Sequence, residues 1–213
     1  MSDETIEKLL LVALGWLLGL LGPVVIDAIR KRRENIQVKF ALFAELREVA
    51  YKLALANFLV NTHFGTIDKP YLQWLKRATE NYKGPGFVET QRAVDVQLNL
   101  PPEQLEALTR RMTTAKGTNI VVQKMHVPLL DARLSALLYL DHQVQIHLLD
   151  IRSSIALLNE LVDQARYYTG LTFGKLEGDN YQLVTGNLDG CLKQYAERAR
   201  MIVSKVEELD RLL

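Results

Sequence analysis

The residues best suited to metal or acid–base chemistry are the four histidines, because imidazole binds transition metals and titrates near neutral pH. They are His63, His126, His142 and His147. The nearest pair, His142 and His147, is five residues apart, which places the two rings on different faces of a helix. Metal-binding pairs on helices are spaced by roughly three or four residues. His147 and Asp150 share a face, but single pairs of this kind are common by chance, and we expect no metal site.

A phosphate-binding loop and a reactive thiol are the other two candidates. Residues 170–175 read GLTFGK, which is one residue shorter than the P-loop pattern, lacks the Ser or Thr after the lysine and follows a predicted helix rather than a strand. We interpret this segment as a hairpin loop. Cys191, the single cysteine, has no histidine at helical spacing, so packing explains it, and a lone cysteine is typical of a reducing compartment. The sequence therefore predicts no catalytic residues and no cofactor.

Asp141 is the one polar residue in the longest apolar pattern of the chain. The pattern alternates spacings of four and three residues, and its members are Leu130, Leu134, Leu137, Asp141, Val144, Leu148, Ile151, Ile155, Leu158, Val162 and Ala165. If the carboxylate is buried, it needs a cationic or hydrogen-bonding partner on a facing helix, since an unpaired buried charge is strongly destabilising. Alternatively, the packed helices lie further apart at this point and Asp141 is solvated. The sequence leaves both interpretations open.

The same pattern predicts one long helix over residues 129–169, and a second pattern of this kind predicts another over residues 180–212. The second pattern consists of Leu188, Leu192, Tyr195, Ala199, Ile202, Val206, Leu209 and Leu213. A short loop joins the two helices, so they should form an antiparallel, coiled-coil-like hairpin. A further amphipathic helix over residues 34–61 supplies a third member. No segment shows a sustained period of two residues, and we predict an all-α helical bundle.

Residues 65–117 are more broken and predict a small cap of short helices on the bundle. Asp68 precedes a lysine and a proline, which is a typical helix start, and residues 71–82 should follow it as a short helix. Residues 87–98 are predicted to be weakly helical. A pair of prolines begins a last short helix, which ends before Gly117.

Residues 9–26 form an unbroken apolar run without a charged side chain. Eighteen helical residues rise about 27 Å, close to the hydrocarbon thickness of a bilayer. The run has no polar face, unlike most long helices of soluble proteins, and its acidic N-terminal flank without a small-residue cleavage site argues against a signal peptide. The sequence therefore predicts a single transmembrane anchor over residues 9–29, with the lipid bilayer as its partner.

The charged residues that flank the run predict its orientation. Lys8 is the only basic residue before it, whereas four follow it closely: Arg30, Lys31, Arg32 and Arg33. Basic residues favour the cytoplasmic side of a membrane, so residues 1–8 should form a short extracytoplasmic tail and residues 30–213 a cytoplasmic domain. The general pattern is that of a bacterial inner-membrane protein with a single span.

Gly15, Gly19 and Gly22 share one face of the predicted anchor, and small residues at such spacing allow two membrane helices to approach closely. The chain has a formal net charge of +1, so no basic surface indicates nucleic acid as a partner. We expect a scaffold or interaction module that binds an unidentified protein or a second copy of itself. The alternative is a membrane effector whose anchors assemble and perturb the bilayer. Scattered candidate residues give no support for an enzyme.

Overall fold

The computed structural model describes residues 3–113, 120–174 and 177–212, and every regular element in these ranges is a helix. For residues 3–6, 8–10, 13, 17, 18 and 20–24, only the backbone is described. The elements are α1 (Asp3–Phe64), α2 (Lys69–Glu80), α3 (Phe87–Leu98), α4 (Pro102–Met112), α5 (Pro128–Ala132), a 3-10 helix (Leu134–Tyr139), α6 (His142–Thr172) and α7 (Gly178–Asp210). The predicted all-α class is confirmed.

The chain divides into two compact units, Met1–Ala41 and Leu42–Leu213, and the boundary falls within α1. The division lies further along the chain than the predicted domain boundary after residue 29. Burial explains the position of this boundary. Leu42 and Phe43 are the first buried side chains of α1 among those described, whereas basic residues 30–33 are exposed and Lys39 is half-buried. The core of the second unit therefore begins at Leu42.

No helix in the described part of the chain is both long and apolar enough to cross a membrane. The transmembrane anchor predicted over residues 9–29 is therefore not confirmed. Part of that prediction lies outside what is described, because the side chains of Leu9, Leu10, Ala13, Leu17, Leu18 and residues 20–24 are not included.

Three long helical stretches build the core of the second unit: α1 from Leu42 onward, α6 and α7. The Gln164 side chain on α6 contacts Cys191 on α7, while Ser154 accepts a hydrogen bond from Lys205 at 2.9 Å, so residue numbers rise along one helix as they fall along the other. The helices α6 and α7 therefore form an antiparallel hairpin. On α1, Arg47 binds Asp210 through a bidentate ion pair of 2.9–3.1 Å. These contacts join the three helices into a bundle.

The predicted continuous helix over residues 129–169 is wrong, because α5, the 3-10 helix and α6 replace it. The break ends at Asp141, whose exposed carboxylate accepts a hydrogen bond from the Gln143 N–H at 2.8 Å and so caps the N-terminus of α6. An N-cap residue takes a non-helical backbone conformation, and a helix cannot run through it. The second predicted helix, over residues 180–212, agrees with α7 to within two residues at each end.

The predicted cap of short helices is present as α2, α3 and α4, and its last predicted residues, 114–117, lie outside the described ones. Asp68 caps α2 as expected, since its Oδ1 accepts from the Tyr71 N–H at 2.7 Å. The cap docks on α1 through Tyr51. Its ring stacks on Tyr82 with centroids 4.2 Å apart, and its hydroxyl lies 2.8 Å from Thr90 Oγ1 on α3.

Glu207 is a carboxylate whose position in the fold destabilises its ionised form. Its Oε1 atom is buried on α7 and accepts no hydrogen bond from the described residues. Burial is the main cause that raises its pKa above the ordinary value; Glu80 and Asp210 add to the rise, and Arg77 and Arg211 oppose it. The ionised form is therefore less stable in the folded chain than in the unfolded one.

We expect Glu207→Gln to raise the free energy of unfolding at pH 7. The folded-state pKa is the higher one, so the ionised carboxylate destabilises the fold above that pKa, and this penalty disappears once pH falls below the unfolded value. Melting curves at pH 7 and pH 4 should show a gain only at the higher pH. Glu208→Gln, at the exposed neighbouring position, is the matched control. An equal gain in stability at both pH values, or no gain at pH 7, would contradict the raised pKa of Glu207.

Candidate interaction groove

An apolar groove of about 640 Å³ lies between α1 and the non-helical residues 120–127, which we call the groove segment. Both walls belong to the second unit. The lining residues on α1 are Glu45, Glu48, Val49, Lys52, Leu55, Ala56, Leu59 and Val60. Those on the other wall are residues 120–126 together with Pro128. A concave site of this size, mostly apolar with few polar groups, is a typical binding site.

The α1 wall combines an apolar strip with a charged rim. Leu59 is 56% exposed, and Leu55 and Ala56 beside it are half-buried, so their remaining apolar surface faces the groove. Glu48 and Lys52 form an exposed ion pair of 2.6 Å one turn apart at the rim. Because the two charges compensate one another, this pair adds no net charge to the rim of the groove.

Glu45 fixes one end of the groove segment to α1. Its two carboxylate oxygens accept hydrogen bonds from the backbone N–H groups of Leu129 at 2.8 Å and Leu130 at 3.0 Å. These two N–H groups belong to the first turn of α5, where no intrahelical acceptor is available, and a negative charge is favoured there. Glu45 therefore holds the start of α5, and with it the end of the groove segment, against the bundle.

Asn159 on α6 holds the middle of the groove segment. Its Oδ1 accepts from the Met125 N–H at 2.9 Å, and its Nδ2 donates to the Met125 carbonyl at 2.8 Å. Both backbone groups of one residue are thus satisfied by one side-chain amide. Beside them, Lys124 pairs with Asp163 of α6 at 2.7 Å. Both of these contacts come from α6, so they hold the groove segment in place without filling the space between it and α1.

The residues singled out from the sequence do not meet at this groove. Gly15 and Gly19 lie in the first unit, where a Cβ at either position would meet no described atom within 4 Å; the side-chain environment of Gly22 lies outside the described residues. The basic residues 30–33 also lie on α1 in the first unit, and Arg30 pairs with Glu34 at 3.0 Å. Asp141 caps α6 in the second unit.

The histidines are likewise separate. His126 lines the groove, His142 begins α6, and His63 stacks edge-on against the ring of Phe64 at 4.9 Å. Among the described residues, no three His, Cys, Asp or Glu side chains lie close enough together to hold a metal ion. Cys191 is buried, which raises the pKa of its thiol. Packing, as predicted, accounts for its position.

The residues that shape the groove were not predicted. Glu45 occupies the polar side of an amphipathic helix, where a carboxylate has no distinguishing sequence signal. Asn159 lies within the long apolar pattern at a position that reads as solvent-facing. One signal was available: residues 120–127, IVVQKMHV, are rich in β-branched side chains between two predicted helices, which disfavours a helix there.

The chain matches no protein-family model, no curated protein and no solved structure. Two features of this chain bear on its function, the groove and the apolar N-terminal run.

Proposed function

We propose that this protein is an interaction module whose helical bundle binds a partner protein through the groove between α1 and residues 120–127. The observation that carries the proposal is that the groove is preformed. Asn159 holds the groove segment by two hydrogen bonds to the backbone of Met125, and Glu45 holds the adjoining start of α5 by two more. Apolar surface such as Leu59 stays exposed inside the groove. A pocket that needs no ordering on binding retains more of its contact energy as affinity.

The same proposal places the bundle at a membrane. Support comes from the sequence: eighteen residues, 9–26, without a charge, followed closely by the basic residues 30–33. This order is that of a single span with its C-terminal side in the cytoplasm, and a bacterial inner membrane fits it. The bundle would then present its groove to cytoplasmic proteins near the membrane surface.

A membrane effector is the second candidate, and the glycines of the N-terminal run favour it. No described atom lies within 4 Å of a Cβ built at Gly15 or Gly19, so a second copy of the helix would be able to approach closely at this face. In this alternative, assembly of the N-terminal segments perturbs the bilayer, and the bundle controls that assembly. The two candidates differ in whether the particular residues of the run matter.

We expect the chain to resist alkaline extraction from membranes and a reporter fused after Leu213 to read as cytoplasmic. Replacing residues 9–26 by leucines should keep both properties and leave partner binding intact, because an interaction module needs only to be held at the membrane. Membrane permeability on overexpression is measured in parallel. Permeabilisation by the native chain that the leucine span abolishes would favour the effector. Release of the native chain by alkali, or a periplasmic reporter, would overturn the membrane placement.

A further inference from the structure

From the end of the apolar N-terminal run onward, the first unit carries large apolar side chains that water reaches. They are between 47% and 66% exposed, and they are Ile26, Ile29, Ile36 and Phe40. Because α1 is helical throughout this stretch, their spacing places all four on one face of the helix. A contiguous apolar patch on a protein surface marks an interaction site.

The spacing is that of a coiled coil. Three, four, three and four residues separate five positions that we call the α1 seam: Ile26, Ile29, Arg33, Ile36 and Phe40. The same alternation continues back into the apolar run, at intervals of four, three and four residues, through Gly22, Gly19 and Gly15. The whole pattern covers residues 15–40, which is more than three heptads, and a pattern of that length is typical of helices that pair along their length.

The surface of the α1 seam is concave near its start. A hollow of about 270 Å³ is lined by Ile26 and Ile29 together with four polar residues, Arg30, Arg33, Glu34 and Gln37. In a coiled coil, each apolar seam side chain of one helix inserts into a hole of this kind on the other helix. The seam ends at Phe40, because Phe43, at the next position of the pattern, is buried in the core of the second unit.

From these observations we propose that two copies of this chain pair in parallel along the α1 seam. Two chains anchored by the same apolar run would enter the bilayer in the same direction and to the same depth, so identical seam residues would meet at one level. The inference uses the proposed membrane placement only for this parallel orientation. It goes beyond the proposed function, since it needs neither the groove nor any change to the bilayer.

Arg33 is the one charged member of the seam, and it favours the alignment of identical positions. A single polar residue at a seam position specifies the register of a coiled coil at a cost in stability. In this alignment the two Arg33 side chains would lie at one level, and their long stems would let both guanidinium groups reach water. A shift by one heptad would instead set each guanidinium against Ile26 or Phe40. The basic residues 30–33 of the two copies repel one another, so salt should strengthen the pair.

Lipid does not account for the far end of the seam. At about 1.5 Å per residue, Ile36 lies about 15 Å and Phe40 about 21 Å along the helix from Ile26. The headgroup layer beyond the hydrocarbon is about 5–8 Å thick, and even a helix tilted by about 40° would raise both residues more than about 10 Å. The bilayer would therefore cover Ile26 and Ile29 at most, and Ile36 and Phe40 need a protein partner.

Cysteine crosslinking of the full chain in liposomes tests the parallel pair. In a Cys191→Ala background, Ile36→Cys should form an interchain disulfide under mild oxidation at least tenfold faster than Lys31→Cys, which lies exposed on the opposite face of α1. Equal rates at the two positions would overturn the proposal. So would a disulfide that forms between chains carrying Ile26→Cys and Phe40→Cys but not between identical positions, because it would mean antiparallel pairing.

Sedimentation equilibrium in a nonionic detergent measures the strength of the pair without a bilayer. Phe40→Asp should weaken self-association at least tenfold, and Leu59→Asp in the groove should leave it unchanged. Arg33→Ile should strengthen it at least fivefold, and so should a rise in salt. Circular dichroism confirms that each variant keeps its helices. A native chain that stays monomeric at every concentration, or weaker association of Arg33→Ile, would overturn the pairing. Release of the chain from membranes by alkali would count against the membrane placement alone.

Discussion

Leu158→Ala should lower the free energy of unfolding by about 2–5 kcal/mol, the range found when a fully buried leucine is truncated in a well-packed core. Leu158 lies on α6 and is 0% exposed. The loss combines the transfer free energy of the removed methyl and methylene groups with the cavity that they leave, because the surrounding helices relax only in part. Urea denaturation of the full chain in detergent, followed by circular dichroism, measures it.

The matched control is the preceding residue. Leu157 is on the same helix, has the same chemistry and is 43% exposed. Its truncation to alanine leaves helix propensity almost unchanged and removes side-chain atoms that water already reaches, so we expect a loss below about 1 kcal/mol. Comparable losses from the two substitutions would mean that α6 does not face the core as the structure places it.

This pair of residues shows what the sequence could predict. Leu158 belongs to the pattern of four- and three-residue spacings and Leu157 does not, so periodicity alone separates a core leucine from a surface one. The same reasoning predicted α7 and the antiparallel hairpin. It succeeds because a long amphipathic helix is stable only when its apolar face is buried. A short loop after such a helix brings the apolar face of the next helix into contact with it.

The break before α6 shows where the same reasoning fails. Leu130 and Leu137 fit the pattern and are buried, at 0% and 4% exposure, yet they lie in α5 and in the 3-10 helix rather than in one continuous helix. Burial was thus predicted correctly for these two leucines but not for Leu134 between them, which is 39% exposed, and the helical conformation was predicted wrongly for all three. A periodic pattern reports which side faces the core, but an N-cap such as Asp141 acts through a local hydrogen bond that no spacing records.

The groove could not be predicted for a related reason. It depends on a side-chain amide that binds the backbone of Met125, 34 residues earlier in the chain. Every residue carries the same backbone groups, so a contact with the backbone places no requirement on the residue type at position 125 that the sequence would reveal. Only the folded arrangement, with α1 and α6 on either side of residues 120–127, brings the partners together.

A buried polar network on α1 is the other feature that periodicity misses, and it carries the last prediction. Asn57 is 2% exposed. Its Nδ2 donates to the Ala196 carbonyl on α7, and its Oδ1 accepts from the Tyr71 hydroxyl of α2 at 2.7 Å and from Asn61 at 2.9 Å. Burial raises the pKa of Tyr71, so its hydroxyl stays protonated and donates. One amide therefore joins three helices.

We expect Asn57→Ala to lower the free energy of unfolding by about 2–4 kcal/mol, because the substitution leaves the buried Tyr71 hydroxyl without its acceptor and opens a small cavity. Tyr71→Phe alone should lower it by about 1 kcal/mol, since the Asn57 amide keeps its other partners. The two substitutions together should lower it by less than their sum, since the second removes the group that the first leaves unsatisfied. A double-mutant cycle by urea denaturation measures this coupling. Strict additivity would mean that the two side chains do not depend on one another, and the hydrogen bond between them would then contribute nothing to the contact between α1 and α2.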